Sequence, residues 1–350
     1  MKISEIEKED GLEAAQEIAS WGLLPKESTW LITGASGFIG TQMITYLKAL
    51  RSMGYKLKIF MVENELRGSL RSWYFEDVEI LKKDASENWN FVFRPDFIVH
   101  LASIASPIFY RKFPLETIEA NIAASKNALD FATKQGSKLL IMSSSEVYGD
   151  PDSSNIPTKE SYWGNVSTMG PRAAYDESKR LSETLCWIYQ QNFNTQVSIA
   201  RPFNFFGPGM RLDDGRVIPD MISKVLLNQD IKIMSDGTPT RTFCYIKDAV
   251  IALVKITLTA DKQSVYNVGN ESPEVSISDL ATKVQTIALN VSKRVGIYEE
   301  KSILDDYLVH NPKRRCPNVS KIRNELGWEA QTPLDDGLRR TLSHFMEINS

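Results

Sequence analysis

Tyr175 and Lys179, in the segment YDESK, stand four residues apart, a spacing that puts both on one face of a helix. A phenol with a pKa near ~10 is a poor base at neutral pH, but a neighbouring ammonium and a positive nicotinamide ring favour its phenolate. Such a pair removes a hydroxyl proton as hydride leaves the same carbon, and the lysine also reaches the nicotinamide ribose. An isolated YxxxK is usually a surface pair. Here it follows a glycine-rich loop, LITGASGFIG, and then SSSEVYG, in the order a reactive centre of this kind requires. Ser144 is placed to hydrogen-bond the substrate oxygen beside Tyr175, while Ser143 and Ser145 read as the end of a strand.

The glycine loop sets Gly34, Gly37 and Gly40 between an apolar run and an amphipathic stretch, with Phe38 and Ile39 before the last glycine. Side chains at those turns would obstruct a pyrophosphate or the close approach of helix to sheet, and the helix start offers unpaired N–H groups. Glu63 ends the next apolar run, where an acidic side chain accepts from the adenosine ribose hydroxyls, so NAD is the expected cofactor. Arg67 and Arg71 argue the other way, since a guanidinium there suits a 2′-phosphate. Asp84, after ILKK, is a weaker candidate for reaching the adenine.

These residues must be held by a scaffold, and its rhythm is legible. Short apolar runs at 30–33, 58–62, 97–102, 138–143 and 197–201 alternate with helical stretches at 41–51, 114–135 and 175–192. Runs too short for helices and rich in Val, Ile and Leu predict strands covered on both faces, and hence an α/β fold with a doubly wound parallel sheet. Residues 1–28 read as a helical extension, 29–206 as the cofactor domain, and 207–350 as a smaller C-terminal substrate-binding lobe. Segments 243–250 and 266–269 are expected to return some elements to the main sheet.

Composition narrows the function classes. Hydrophobic residues make up 42% and charged residues 24%, which is ordinary for a globular chain, and the net charge of −3 gives no general affinity for nucleic acid. Cys186, Cys244 and Cys316 lack CxxC spacing, so neither a disulfide framework nor a metal site is expected, and a reducing cytoplasm fits. The acidic start is unlike a signal peptide, and no apolar run is long enough to span a membrane.

The chain resembles the extended short-chain dehydrogenase/reductase family, and within it the UDP-glucuronic acid decarboxylases of the UDP-xylose synthase type. The likeness covers about residues 29–345 and rests on LITGASGFIG, HLASIASPIFYRKFPLETIEAN, SSSEVYGDP, YWGNV, GPRAAYDESKR, RPFNFFGPGM, DDGRV, TRTFCYI and NPKRRCPNVSKIRNELGW. It implies a Rossmann fold, bound NAD, a nucleotide-sugar substrate and a homodimer formed through the helices beginning near Leu115 and Tyr175. Dehydratases of the family carry Asp-Glu after the position of Ser144, whereas Ser145-Glu146 lacks the acid for expelling water and matches the decarboxylases. The implied cycle oxidises C4 of UDP-glucuronate, releases carbon dioxide, then protonates C5 and returns hydride to C4. In it Glu146 positions the ring or aids proton delivery, and Arg315, with Arg314 as competitor, holds the carboxylate or the intermediate's oxygen. The likeness also implies sugar and phosphate contacts for Tyr110 and Asn204, diphosphate contact for Arg241, and a substrate role for Tyr245. Leu101, Ala102 and Asn121 fall on the cofactor side.

Two positions depart from the family pattern: Pro202 stands in place of an Ile, and Gly209 in place of an Arg. A 4-epimerase that keeps its carboxylate, or a decarboxylating branch that stops at the 4-keto pentose, would use nearly the same residues; the alternative enzyme is an NDP-sugar 4-epimerase or 4,6-dehydratase, and a non-catalytic NAD-binding regulator is more remote.

Overall fold

The computed structural model describes residues 3–64, 76–259, 264–299 and 312–349. An N-terminal helix, α1 (Glu5–Ser20), precedes strand β1 (Glu27–Thr33), helix α2 (Phe38–Ser52), and strands β2 (Lys56–Glu63), β3 (Glu79–Lys82) and β4 (Phe97–His100). A short α3 (Pro107–Lys112) and a long α4 (Pro114–Gln135) lead to β5 (Lys138–Met142), then α5 (Ala173–Phe193) to β6 (Val197–Pro202). The expected strands and helices in this half are all present; 138–143 ends one residue early, at Met142, and 97–102 is shorter as a strand because the chain leaves the sheet after His100.

Seven parallel strands form the central sheet in the order β11-β6-β5-β4-β1-β2-β3. Its last member, β11 (Ser264–Val268), pairs beside β6 from far along the chain. Side chains alternate between two cores, as the period of a strand demands. Trp30, Ile32, Ile59, Met61 and Val99 face α1, α2 and a later helix, α7 (Ile246–Thr259). Leu31, Phe60, Val62, Ile98 and Ile141 face α4 and α5. Each fully buried Ile or Leu contributes about 2 kcal/mol through removal of apolar surface from water, which fixes the register of every strand.

The strand order reverses between β1 and β4, whose carboxyl ends therefore open a crevice, the usual place for a ligand in such a sheet. Above it lie short pairs built after β6. β7 (Phe205–Phe206) pairs β10 (Cys244–Tyr245), and β8 (Ile231–Ile233) pairs β13 (Ile297–Glu299). β9 (Thr240–Arg241) lies between β12 (Val275–Ser276) and β14 (Arg314–Arg315). Around them pack α6 (Val217–Leu226), α8 (Ile277–Asn290), α9 (Ser320–Leu326) and α10 (Leu334–Asn349). Of the two segments expected to return to the main sheet, 266–269 does so as β11, whereas in 243–250 the strand β10 pairs only with β7 and α7 packs against the sheet as a helix.

Candidate active site

The glycine loop sits at the mouth of the crevice. Gly34 has φ +63°, and a Cβ there would lie 2.8 Å from the Ala102 backbone, so this turn requires glycine. At Gly40 the crowding comes from packing: a Cβ would fall 2.6 Å from Ala35 Cα, and α2 could not approach the loop. Gly37 is the N-cap of α2 and provides no side-chain cap, which leaves the first N–H groups, those of Phe38 and Ile39 among them, available to an anion. Thr33 ties Leu101 and Ala102 to the far wall, its carbonyl accepting from Leu101 N–H (3.2 Å) and its hydroxyl oxygen from Ala102 N–H (3.2 Å).

Glu63 is buried at the end of β2, where its Oε2 accepts from Ser36 N–H (3.1 Å) and Ser36 Oγ (2.6 Å). Ser36, overlooked in the sequence reading, thus clamps the acidic residue to the glycine loop. Asp84 accepts from Asn64 Nδ2 (2.6 Å) and from Ser86 N–H (2.8 Å), which shapes the adjoining turn. Arg67 and Arg71 lie outside the described residues.

Tyr175 and Lys179 are both buried on α5. Burial pushes the Tyr175 phenol up to about 12, against the hydrogen bond with the Ser144 hydroxyl. The Lys179 ammonium is pushed down to about 8, again by burial, with the Glu183 charge opposing. Lys179 Nζ donates to Met142 O (2.9 Å) at the end of β5 and lies 5.9 Å from the Tyr175 ring centre. With these values the pair at neutral pH is a neutral phenol beside an ammonium. The added positive charge that draws off the phenolic proton therefore has to come from a ligand in the crevice.

His100, below Lys179, stays neutral, because burial and the Lys179 charge bring it down to about 3; its Nδ1 is 2.8 Å from Thr33 Oγ1. Asn121 accepts from Ser103 Oγ (2.7 Å) and donates to Ser178 Oγ (2.8 Å), bracing α4, α5 and the loop after β4 together. Tyr110 stacks on Tyr175 with ring centres 4.9 Å apart, and its buried hydroxyl has no hydrogen-bond partner among the described residues. A buried hydroxyl in that position is poised for a ligand.

A 3-10 turn, Ser145–Tyr148, follows β5, with Ser144 as its N-cap accepting from Glu146 N–H (3.2 Å). Glu146 Oε2 accepts from two guanidiniums, Arg172 and Arg315 (2.9 Å to the latter). Burial opposes its ionisation, but Arg315 and Arg172 outweigh burial and hold the carboxyl well below the usual range. Arg315 also donates to the carbonyls of Ser145 and Gly149, so it anchors the turn that carries both Ser145 and Glu146. Its neighbour Arg314 is spent on Glu274 (2.7 Å at both nitrogens), which separates the two candidates. Arg172 and Asp176, 3.7 Å apart, escaped the sequence reading. The signal was present, since Arg172 falls within GPRAAYDESKR one helical turn before Tyr175. Asp176 is raised by burial and by the Glu146 charge.

Arg241 is paired in register with Arg315 across β9 and β14, and its three hydrogen bonds all go to backbone carbonyls, of Thr240, Pro312 and Lys313. Burial, then the Arg315 charge, lowers it to about 10. Three guanidiniums thus face the two carboxylates of Glu146 and Asp176, a surplus of positive charge suited to an anionic ligand. Asn204, at φ +46°, donates to Thr242 O (2.8 Å) from the segment joining β6 to β7. Tyr245 does not join this group. It is 1% exposed, packs on Phe206, and donates to Asp10 of α1 (2.6 Å), because the β7–β10 pairing turns its side chain into the core. Among the described residues no cluster of His, Cys, Asp or Glu is arranged to hold a metal, and no helix is long and apolar enough to cross a membrane.

The crevice fits a dinucleotide: a glycine turn without side chains, an uncapped helix start and a fixed carboxylate one strand away. Comparison with known proteins agrees. Residues 30–269 match the model of the NAD dependent epimerase/dehydratase family. UDP-glucuronic acid decarboxylase 6 of Arabidopsis thaliana is 37% identical over 88% of this chain and 86% of that protein. UDP-glucuronic acid decarboxylase 1 of Xenopus tropicalis is 36% identical over 90% of this chain and 71% of its own length. The crystal structure of UDP-glucose 4-epimerase from Thermotoga maritima superposes with a TM-score of 0.79 at 21% identity, covering 92% of this chain and 100% of that one. The chain belongs to the NAD dependent epimerase/dehydratase family.

Proposed function

We propose that the protein is a UDP-glucuronate decarboxylase, forming UDP-xylose or its 4-keto precursor. The observation that carries this reading is the state of Glu146. Clamped between Arg172 and Arg315, it stays a carboxylate, and Ser145 beside it is no acid, so the turn has no proton to give to a departing hydroxyl. Carbon dioxide needs none. The names of the relatives point the same way.

Bound NAD supplies the hydride acceptor for C4 of the sugar. Tyr175 takes the C4 hydroxyl proton, with Ser144 holding the same oxygen and Lys179 keeping the phenolate favourable. The resulting ketone stands β to the carboxylate, so the C5–C6 bond breaks with its electron pair entering an enolate. A proton then returns to C5, and Tyr175 gives its own back to the C4 oxygen as the ketone is reduced. Glu146 holds the ring while Arg315 steadies the turn beneath it. Tyr110 and Asn204 bind sugar and phosphate, and Arg241, which makes no hydrogen bond to a carboxylate among the described residues, takes the diphosphate. Residues 29–206 hold the cofactor and also carry Tyr110, Ser144, Glu146, Tyr175 and Asn204, while 207–350 contribute Arg241 and Arg315; Tyr245, turned to Asp10, is not among these contacts.

Leu115, Ile118, Leu181, Trp187 and Phe193 expose between 40 and 74% of their area on α4 and α5, which supports a homodimer built on those helices. Three buried free thiols suit a cytoplasmic enzyme. Incubation with UDP-glucuronate and NAD, followed by mass spectrometry, tests the proposal. Loss of the mass of carbon dioxide is expected; loss of water, or an unchanged mass with a new 4-epimer, overturns it. Light scattering tests the dimer, and a monomer at all concentrations removes it.

A further inference from the structure

Two features fall outside the reaction described above: the N-terminal helix and the glycine at position 209. They meet in space. Helix α1 buries Glu7 and Asp10 almost completely, an unusual expense for a helix that only covers apolar surface. Glu7 serves two elements at once. Its Oε2 accepts from Ser4 N–H (3.3 Å) in the capping box that starts α1, and its Oε1 accepts from Gln42 Nε2 (2.8 Å). Gln42 lies on α2, five residues beyond the N-cap Gly37, and the same amide donates to Pro208 O (3.1 Å). Gly209 N–H donates to His344 Nε2 (3.3 Å), and His344 Nδ1 is 2.8 Å from Ser4 Oγ. A closed ring of bonds therefore joins α1, α2, α10 and the turn at 207–210.

Gly209 completes the joint. Its φ is +86°, and a Cβ there would lie 3.0 Å from Gln42 Nε2 and 3.9 Å from Glu7 Oε1. Any larger side chain at 209 would occupy the space that Gln42 and Glu7 now fill. The same Cβ would lie 3.8 Å from the Phe38 ring, in the first turn of α2, whose free N–H groups form the anion end of the crevice.

We propose that Glu7 is a positioning residue for the cofactor: through Gln42 it sets the spacing between the start of α2 and the 207–210 turn, and so the affinity for NAD. The inference rests on NAD binding at the glycine loop, not on the identity of the sugar. Loss of the bond loosens the first turn of α2, so binding weakens while turnover at saturating NAD is retained.

Calorimetric titration of the cofactor-free full chain with NAD tests this, alongside kcat at saturating NAD and thermal unfolding. Glu7→Ala and Gln42→Leu should each weaken NAD binding about tenfold, the size expected for losing one buried hydrogen bond. Because both break the same bond, the double variant should bind no worse than about twofold below the poorer single one. Glu7→Gln keeps an acceptor facing Gln42 and should restore most of the affinity. An unchanged NAD affinity in Glu7→Ala alongside a lowered melting temperature would show that α1 merely packs, and fully multiplicative losses in the double variant would show that Glu7 does not act through Gln42; either overturns the proposal. If Glu7→Ala fails to fold, Gly209→Ala presses on Gln42 from the opposite side with α1 intact, and wild-type NAD affinity there overturns it equally.

Discussion

The molecule contains two buried clusters made of the same parts, a carboxylate, a tyrosine and arginine, and they behave oppositely. At the crevice, Glu146 lies between Arg172 and Arg315 and is held ionised, with Arg241 as a third guanidinium nearby. Under α1, Asp10 accepts from the Tyr245 hydroxyl (2.6 Å) and from Arg340 (2.7 Å), yet burial raises it to about 6. The difference lies in the count of guanidiniums and in where they sit. Two largely buried arginines outweigh the desolvation of one carboxylate, whereas Arg340, itself partly in water, does not. The first cluster has positive charge to spare and so recruits an anion; the second is nearly balanced and joins helices.

The largest effect should come from the residue that only the first cluster exposes to chemistry. Tyr175→Phe removes the proton carrier while leaving the ring stacked on Tyr110, and turnover should fall by about 10²–10⁴ with little change in melting temperature. Single-turnover absorbance of the reduced cofactor checks it, and wild-type rates would refute proton transfer by this phenol. Next is Arg315→Leu, which leaves Glu146 to Arg172 alone and frees the 145–148 turn. Turnover should drop about a hundredfold, and because a buried partner is lost the fold should weaken by roughly 3 kcal/mol. Arg241→Ala should act differently, raising the KM for the nucleotide sugar about tenfold or more with a smaller change in kcat, since a diphosphate contact serves ground and transition states alike.

These clusters also mark how far the sequence could be read. The glycine loop, Glu63, Tyr175 and Lys179 were legible because each belongs to one contiguous stretch whose element, strand then helix, periodicity identifies. The sheet was legible for the same reason: β1, β2, β5 and β6 are apolar runs that only burial on both faces explains. Arg172, Asp176 and Ser36 were not picked out, because their roles depend on which distant partner they meet; Arg172 meets Glu146 across 26 positions. Tyr245 failed for the complementary reason. The family likeness implied a substrate role for it, but the two-residue strand β10 turns its side chain into the core, where its hydroxyl donates to Asp10 of α1. The function of α1 itself was invisible, since Glu7 and Asp10 look like solvated acidic residues until a helix of another segment covers them.

The effect that leaves turnover aside is the sharpest discriminator, because the two carboxylates must contribute to stability with opposite dependence on pH. Asp10 has a folded pKa raised from 3.8 to about 6, so the folded state prefers it protonated. Its contribution is fully present below the unfolded value and is lost as pH rises through about 6, to a limit of roughly 3 kcal/mol. Glu146, held below its ordinary value of 4.5, contributes above that value and loses its contribution as pH falls towards the folded one. Neutral variants isolate each term. Relative to Asp10→Asn, the wild-type protein should gain stability between about pH 7 and pH 4; relative to Glu146→Gln, it should lose stability below about pH 4.5. Urea unfolding across that range reads both differences. Parallel slopes would mean that the arginine count does not separate the clusters, and a flat Asp10 difference would mean that Tyr245 and Arg340 together offset its burial.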